Sequence, residues 1–316
     1  VNSVGSLSVA ARFAEGRLSG LSVQLERPPV AKLFIGQRPE AVARTVPYLY
    51  TLCAHAQGAA CRGALAAAAG EAPPPADSAA LWAEALHEHF WRLLLDWPLA
   101  LGLPQAKDAF IAWRGARTGG GIVAATAALL ENTLLGCPPA AWQEGEATAV
   151  PSSLAGRCLE RLGRVGKVAA FETPPLTPGD WLAYWRTEGG SPPATARPAS
   201  VGAAWRARLR ETVAAARALE SGAAYPVAVA GGDGWGVGQT LTARGVLTHG
   251  VRIVRRRVAA YRVWAPTDCH FADASGLAVL LRDGTWPDGA AAKRAVEQAV
   301  LALDPCLPYT VRVNDA

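Results

Sequence analysis

The chain has no methionine, and lysine supplies only four of its 31 basic residues. No apolar run reaches the roughly 18 residues that a membrane-spanning helix requires. The longest candidate, 119–130, stops at Glu131 and reads as a buried helix. No basic segment is followed by an apolar stretch, so nothing reads as a secretory signal. With Val1 first, an initiator methionine is expected to have been removed or trimmed. There is no paired C-x-x-C, no H-E-x-x-H and no Ser–His–Asp order. No P-loop Lys-Ser/Thr follows the glycines. These absences argue against a membrane protein, a metalloprotease, a serine hydrolase and a nucleotide-phosphate cradle.

What is present is core-forming material. The 316 residues are 51% hydrophobic and 18% charged, enough for a substantial interior. A single domain over 1–316 is expected, with a Gly-, Ser- and Pro-rich internal linker at 188–200. The net charge is +5. Its sharpest cluster, Arg252, Arg255, Arg256 and Arg257, falls at a strand–turn–strand. A solvated turn explains it better than nucleic-acid binding, which needs helical or aromatic readout beside the charge. An acidic protein partner stays open. The six cysteines, Cys53, Cys61, Cys137, Cys158, Cys269 and Cys306, have no framework spacing. They read as reduced thiols of a cytoplasmic protein.

The periodicity predicts an α+β fold, mostly helical, with a small N-terminal β-hairpin and C-terminal strands. Apolar residues alternate at Leu7, Val9, Ala11 and again at Leu21, Val23, Leu25, around a Glu15-Gly16 turn. Pro39 suits the first turn of a helix to about Gly70, with a kink at Pro47. Asp77 caps a helix to Trp97, ended by Trp97-Pro98. Further helices are expected after 119–121 to Gly136, from Ser152 to about Val168, after Thr177 as a capping box, and from Val201 to Glu220. Residues 231–238 read as a glycine loop. Strands follow around 245–253 and 258–264, then a helix over 290–303 and an extended tail. The two ends are expected to converge.

Several residue groups have plain readings. The glycines at 232, 234, 236 and 238 lack the strand-then-helix setting of a phosphate loop. His87 and His89 are two apart, so on a helix they cannot easily share an ion. His87, near Glu84 and Glu88, reads as an exposed polar face. Cys269-His270 is poor geometry for joint ligation. Cys61 falls on the opposite flank of its helix from Cys53, and Cys137 and Cys158 read as structural.

Two cysteines stand apart. Cys53 lies in Thr51-Leu-Cys-Ala-His-Ala56, and Cys306 in Asp304-Pro-Cys-Leu-Pro-Tyr309. Each is a C-x-x-C with its second cysteine missing. Residues 36–53 resemble the approach to the N-terminal cysteine motif of nickel–iron hydrogenase large subunits. Residues 234–249 resemble their glycine-rich segment and following Ala-Arg-Gly, and 251–267 their strand pair leading to a Pro-Thr loop. Asp304-Pro-Cys306 matches the start of their C-terminal motif. The resemblance covers about 5–62 and 225–316, and shortened relatives of this kind form the HupK/HoxV group of hydrogenase maturation proteins.

The departures shape what the resemblance implies. Ala56 and Tyr309 stand where the enzymes have the second, bridging cysteines. Thr242 stands where they have a glutamate, and Arg312 where a histidine is expected. Nickel favours soft thiolate donors, and half of them are missing, so no nickel is expected. The implied role is an assembly scaffold that holds iron with its cyanide and carbonyl ligands. The implied metal ligands are Cys53 and Cys306, their sulfurs within roughly 8 Å of each other. Arg244 and the Pro266-Thr267 hydroxyl correspond to donors beside the two cyanides. Implied partners are the maturation complex that delivers the iron fragment and a hydrogenase large-subunit precursor, with no nucleic acid and no membrane. The C-terminal tail is expected to fray without ligand. Replacing Arg244 by Leu should lower cargo retention and leave the fold intact, unless Arg244 pairs with a carboxylate such as Asp268 or Asp304. A divergent redox enzyme and a metal-free docking subunit are the alternatives.

Overall fold

The computed structural model describes residues 5–117, 120–143, 149–163, 171–187 and 191–315. Strands β1 (Ser6–Ala14) and β2 (Arg17–Glu26) form the expected hairpin, turning on Glu15 and Gly16 at φ 48° and 76°. Helix α1 (Pro39–Leu49) starts on Pro39, which needs no hydrogen-bonded N–H there. The helix does not kink and continue, as the sequence suggested. Tyr50 leaves it at φ −121°, a 3₁₀ turn spans Thr51–Cys53, and a new helix α2 (Ala54–Ala69) begins. Cys53 thus sits at a helix start and not inside a helix.

The middle of the chain is helical. Asp77 Oδ1 accepts from Ala80 N at the head of α3 (Ser78–Trp91). The helix does not stop at Trp97-Pro98. It widens into a π-helical turn over Arg92–Asp96, then resumes as α4 (Trp97–Ala100), where Pro98 falls in a first turn and forfeits no bond. Helix α5 (Lys107–Ala116) was not foreseen and buries only Phe110 and Trp113. Helix α6 (Ile122–Leu129) runs through a second π turn to Gly136 at φ 76°. Helix α7 (Leu154–Leu162) is capped by Ser153, and α8 (Pro178–Arg186) follows Thr177, whose side chain makes no cap bond. The expected helix end near Val168, Gly119 of the glycine break and 188–190 of the linker lie outside the described residues. The rest of the linker is irregular and tied down by Arg197, which donates to Ser275 Oγ and to the Cys269 carbonyl. Helix α9 (Val201–Ser221) closes this block, whose core is built on Phe90, Trp97, Trp113 and Trp205.

The expected glycine loop is a β-hairpin. Strands β3 (Val227–Gly232), β4 (Trp235–Thr242), β5 (Gly245–Val254) and β6 (Arg257–Trp264) form an antiparallel sheet in that order. The glycines serve contact with α2. A Cβ on Gly236 would stand 2.0 Å from the Ala64 carbonyl, and one on Gly238 2.2 Å from the Ala60 carbonyl. Helix α2 matches them with small residues, so its backbone rests directly on the strand. The other face of the sheet takes α8, with Trp185 filling the space above Gly250.

Short helices α10 (Pro266–His270) and α11 (Ser275–Leu280) lead to α12 (Gly289–Leu303). The tail does not fray. It forms β7 (Tyr309–Asp315), parallel to β1 in register Leu7–Tyr309 through Phe13–Asp315. Apolar side chains of β1, α12 and Leu307 make a third core, which supplies the tether that a free terminus would lack.

Candidate metal centre

Cys53 sits at the N-cap of α2, the helix whose backbone lies against the sheet. Glu84 of α3 caps the first turn, accepting from His55 N at 2.8 Å and Ala56 N at 2.9 Å. The donor to the Cys53 sulfur is Gln57 Nε2, 3.5 Å away. The Gln57 carbonyl oxygen takes His249 Nε2 at 2.7 Å, and His249 Nδ1 meets the Tyr261 hydroxyl at 2.6 Å. Burial keeps His249 neutral, with its pKa lowered to about 3. With the amide nitrogen facing sulfur, His249 donates from Nε2 and accepts the tyrosine proton at Nδ1. Burial pushes the Cys53 thiol up to about 12; Gln57 and Arg244 act against this, and the nearby Cys306 adds to it.

Cys306 stands in different surroundings. Asp304 ends α12 in the left-handed region at φ 50° and turns the chain through Pro305 into the site. The Cys306 backbone N–H donates to Thr267 Oγ1 at 3.2 Å, and that hydroxyl lies 3.3 Å from the sulfur. Arg27, just after β2, donates from Nη2 to the same sulfur at 3.1 Å and pairs with Asp268 at 2.5 Å. A guanidinium and a hydroxyl thus converge on one sulfur. Both cysteines are free.

Arg244 occupies the two-residue turn between β4 and β5. Thr242 Oγ1 accepts from Arg244 N, and Gly245 at φ 123° completes the turn. The guanidinium is buried. It donates from Nη2 to Glu88 at 2.6 Å, and its Nε lies 3.5 Å from Asp304 Oδ1. Burial opposes its charge, but Asp304 and Glu88 hold its pKa above the ordinary value. Asp268, the other carboxylate considered for it, belongs to Arg27. Pro266 packs beside Gly245, and with Arg244 it lines a cavity of about 240 Å³.

Asp304 is the hub of this charge cluster. Arg92 reaches it at 2.6 Å from the π turn and also holds the Pro305 carbonyl at 2.7 Å. Arg208 of α9 bonds its other oxygen, and donates to His89 at 3.3 Å. Burial would raise the pKa of Asp304, but Arg208, Arg244 and Arg92 hold it well below the usual carboxylate range. The supposed exposed face of His87, Glu84 and Glu88 is not one: Glu84 and Glu88 are buried, each with a partner across the site, and His87 is half-buried beside Glu88.

The residues singled out in the sequence lie around one region. Cys306 and Arg244 both act on the Cys53 thiol, and Cys306 acts on Arg244. Thr267 touches Cys306. Missing from the sequence reading are Arg27, Arg92, Arg208 and the carboxylates of α3. Among the described residues, no group of three or more His, Cys, Asp and Glu side chains converges as a ligand set. No helix of the described residues is long and apolar enough to cross a membrane.

This architecture is that of the nickel–iron(–selenium) hydrogenase large subunit. The nickel–iron–selenium hydrogenase of Desulfovibrio vulgaris Hildenborough, as isolated in the oxidised state, superposes with a TM-score of 0.54, covering 93% of this chain and 94% of that one at 14% identity. The enzyme of Desulfomicrobium baculatum in its reduced, active form gives 0.53 at 13% identity, covering 94% and 95%. No family model matches the chain. The hydrogenase expression/formation protein HupK of Azotobacter vinelandii is 30% identical over 99% of both chains. HoxV of Cupriavidus necator is 27% identical over 96% of this chain and 95% of its own. The chain belongs to the HupK/HoxV family of hydrogenase expression/formation proteins.

Proposed function

We propose that the chain is a non-catalytic scaffold of nickel–iron hydrogenase maturation that holds iron with cyanide and carbonyl ligands as transient cargo on Cys53 and Cys306. The observation that carries the reading is the convergence of the Arg27 guanidinium and the Thr267 hydroxyl on the Cys306 sulfur. An iron already bearing three diatomic ligands needs few protein donors, and thiolates suit it. Cyanide nitrogens accept hydrogen bonds, and Arg244 is the buried cation for one of them, with Thr267 for the other. Ala56 and Tyr309 offer no thiolate, so nickel is not held. The names of the relatives, hydrogenase expression/formation proteins, agree with this role. The partners are then the complex that builds the iron fragment and the large-subunit precursor that receives it, in the cytoplasm and without nucleic acid or membrane.

Infrared spectroscopy tests this on protein purified from cells expressing the maturation machinery. Cyanide and carbonyl stretches, absent from protein groups, should appear together with iron and without nickel. They should vanish in Cys53→Ser and Cys306→Ser variants. Stoichiometric nickel with hydrogen uptake would make the chain a redox enzyme instead. Protein that never carries iron would make it a docking subunit.

A further inference from the structure

We propose that the cleft between α1, α2 and the β5–β6 turn binds an acidic peptide segment of a partner protein. The cleft measures about 880 Å³, and Arg38, Arg62, Arg255, Arg256 and Arg257 line it. Glu40 and Glu71 also line it, so positive charge remains in excess. Among the described residues none of the five arginines is in an ion pair. Arg257 donates to the Gly36 carbonyl at 2.7 Å, and among the described residues the other four make no side-chain hydrogen bond. Leu65 and Ile253 give the floor an apolar component, which suits the methylenes of glutamate and of apolar neighbours in a peptide.

The backbone of the turn is a second, independent observation. Val254 pairs with Arg257, so Arg255 and Arg256 form a two-residue hairpin loop. Both have positive φ, 50° and 61°, the conformation for which Asn-Gly is favoured. Two arginines there are strained, and both are exposed at the rim of the cleft. Strain of this kind persists where the side chains serve a purpose that the fold does not supply.

The arrangement selects among anions. Guanidinium groups spread over three elements match carboxylates spaced along a chain better than one small anion, which needs convergent donors. No aromatic side chain lines the cleft, so there is no platform on which bases could stack. None of these residues belongs to the cysteine site, so the inference stands apart from the cargo reading.

Fluorescence anisotropy with a labelled polyglutamate peptide tests it on the full chain. Binding is expected at low ionic strength and should weaken as salt rises. Arg255→Asn combined with Arg256→Gly should weaken it by roughly tenfold or more. This variant relieves the turn, so its thermal midpoint should not fall. Arg62→Ala, on a different element, should weaken binding as well. Arg17→Asn with Lys293→Asn removes equal charge elsewhere and should leave binding unchanged. The proposal is overturned if the peptide does not bind, if the turn variant binds it equally well, or if the remote variant loses as much. It is also overturned if a charge-matched single-stranded oligonucleotide binds more tightly and responds to the same turn variant.

Discussion

Arg27 Nη2 lies 3.1 Å from the sulfur of Cys306, across 279 positions of chain. The strand that ends beside Arg27 belongs to the same sheet as the strand that follows Cys306, so one small sheet positions both donor and ligand. An ionic hydrogen bond of this kind contributes about 1.5–3 kcal/mol. Arg27→Ala should therefore lower retention of the iron fragment by roughly tenfold or more, while Arg27→Lys keeps part of it. Iron content and cyanide bands after gel filtration decide this; equal retention by the alanine variant would remove Arg27 from the site.

Arg244 couples cargo to stability. Arg244→Leu would leave Glu88 buried without its cation, and breaking a buried pair costs about 3–5 kcal/mol. The sequence suggested an intact fold, but the pairing with Glu88 and Asp304 predicts a lower urea midpoint. Removing both partners in Arg244→Leu/Glu88→Leu should recover much of the loss and still retain little iron. If the single variant unfolds at the parental midpoint, the ion pair is not a structural element.

Gly238 sets the seat of the Cys53 helix. Gly238→Ala would bring a methyl 2.2 Å from the Ala60 carbonyl, and neither backbone can move without lifting α2 from the sheet. A cost of about 1–3 kcal/mol is expected from the overpacking. Gly115→Ala meets nothing within 4 Å and should be harmless. Chemical denaturation compares the two, and equal midpoints would contradict the close packing.

Acid should destabilise the protein early. Burial first, and then the Arg208 charge, lower His89 from 6.5 to about 3, and burial alone does the same to His249. Burial would raise Glu88, but the His87 hydrogen bond and Arg244 bring it from 4.5 to about 2. In each case the unfolded chain holds the proton more tightly. The stabilisation is complete above the ordinary pKa and is lost as pH falls, from 6.5 through about 3 for the histidines and from 4.5 through about 2 for Glu88. Each group contributes a slope of about 1.4 kcal/mol per pH unit inside its window. Urea midpoints at pH 7, 6 and 5 should fall progressively, and less steeply in His89→Gln. A flat profile would mean that these histidines take up protons as readily in the native protein as in the unfolded chain.

The parts of the site legible in the sequence were those on short local motifs. Cys53, Ala-Arg244-Gly, Pro-Thr267 and Asp-Pro-Cys306 each have a recognisable neighbourhood. Glu84, Glu88 and His87 were misread because a helical run of charged residues looks like a solvated face until its partners are known. The partner of Glu88, Arg244, arrives from a turn 156 positions away, and those of Glu84 are backbone N–H groups at the start of α2. Arg27 carried no signal, since one arginine before two prolines resembles any strand exit. The glycines of β3 and β4 were misassigned to a loop because their reason, the backbone of α2, is invisible in local sequence.

The contact between Arg244, Glu88 and Asp304 crosses a boundary. Arg244 and Cys53 ride with the four-stranded sheet, whereas Glu88, Asp304 and Cys306 ride with the helical block and the terminal strand. That boundary is fastened by charge as well as by the apolar contacts of Leu81 and Ala85 with α2 and Leu247. The apolar part is indifferent to a guest ion, but the charged part must rebalance whenever an anion approaches Arg244. On the proposed scaffold role, loading and unloading of a charged guest would change how firmly the two halves of the molecule are clasped.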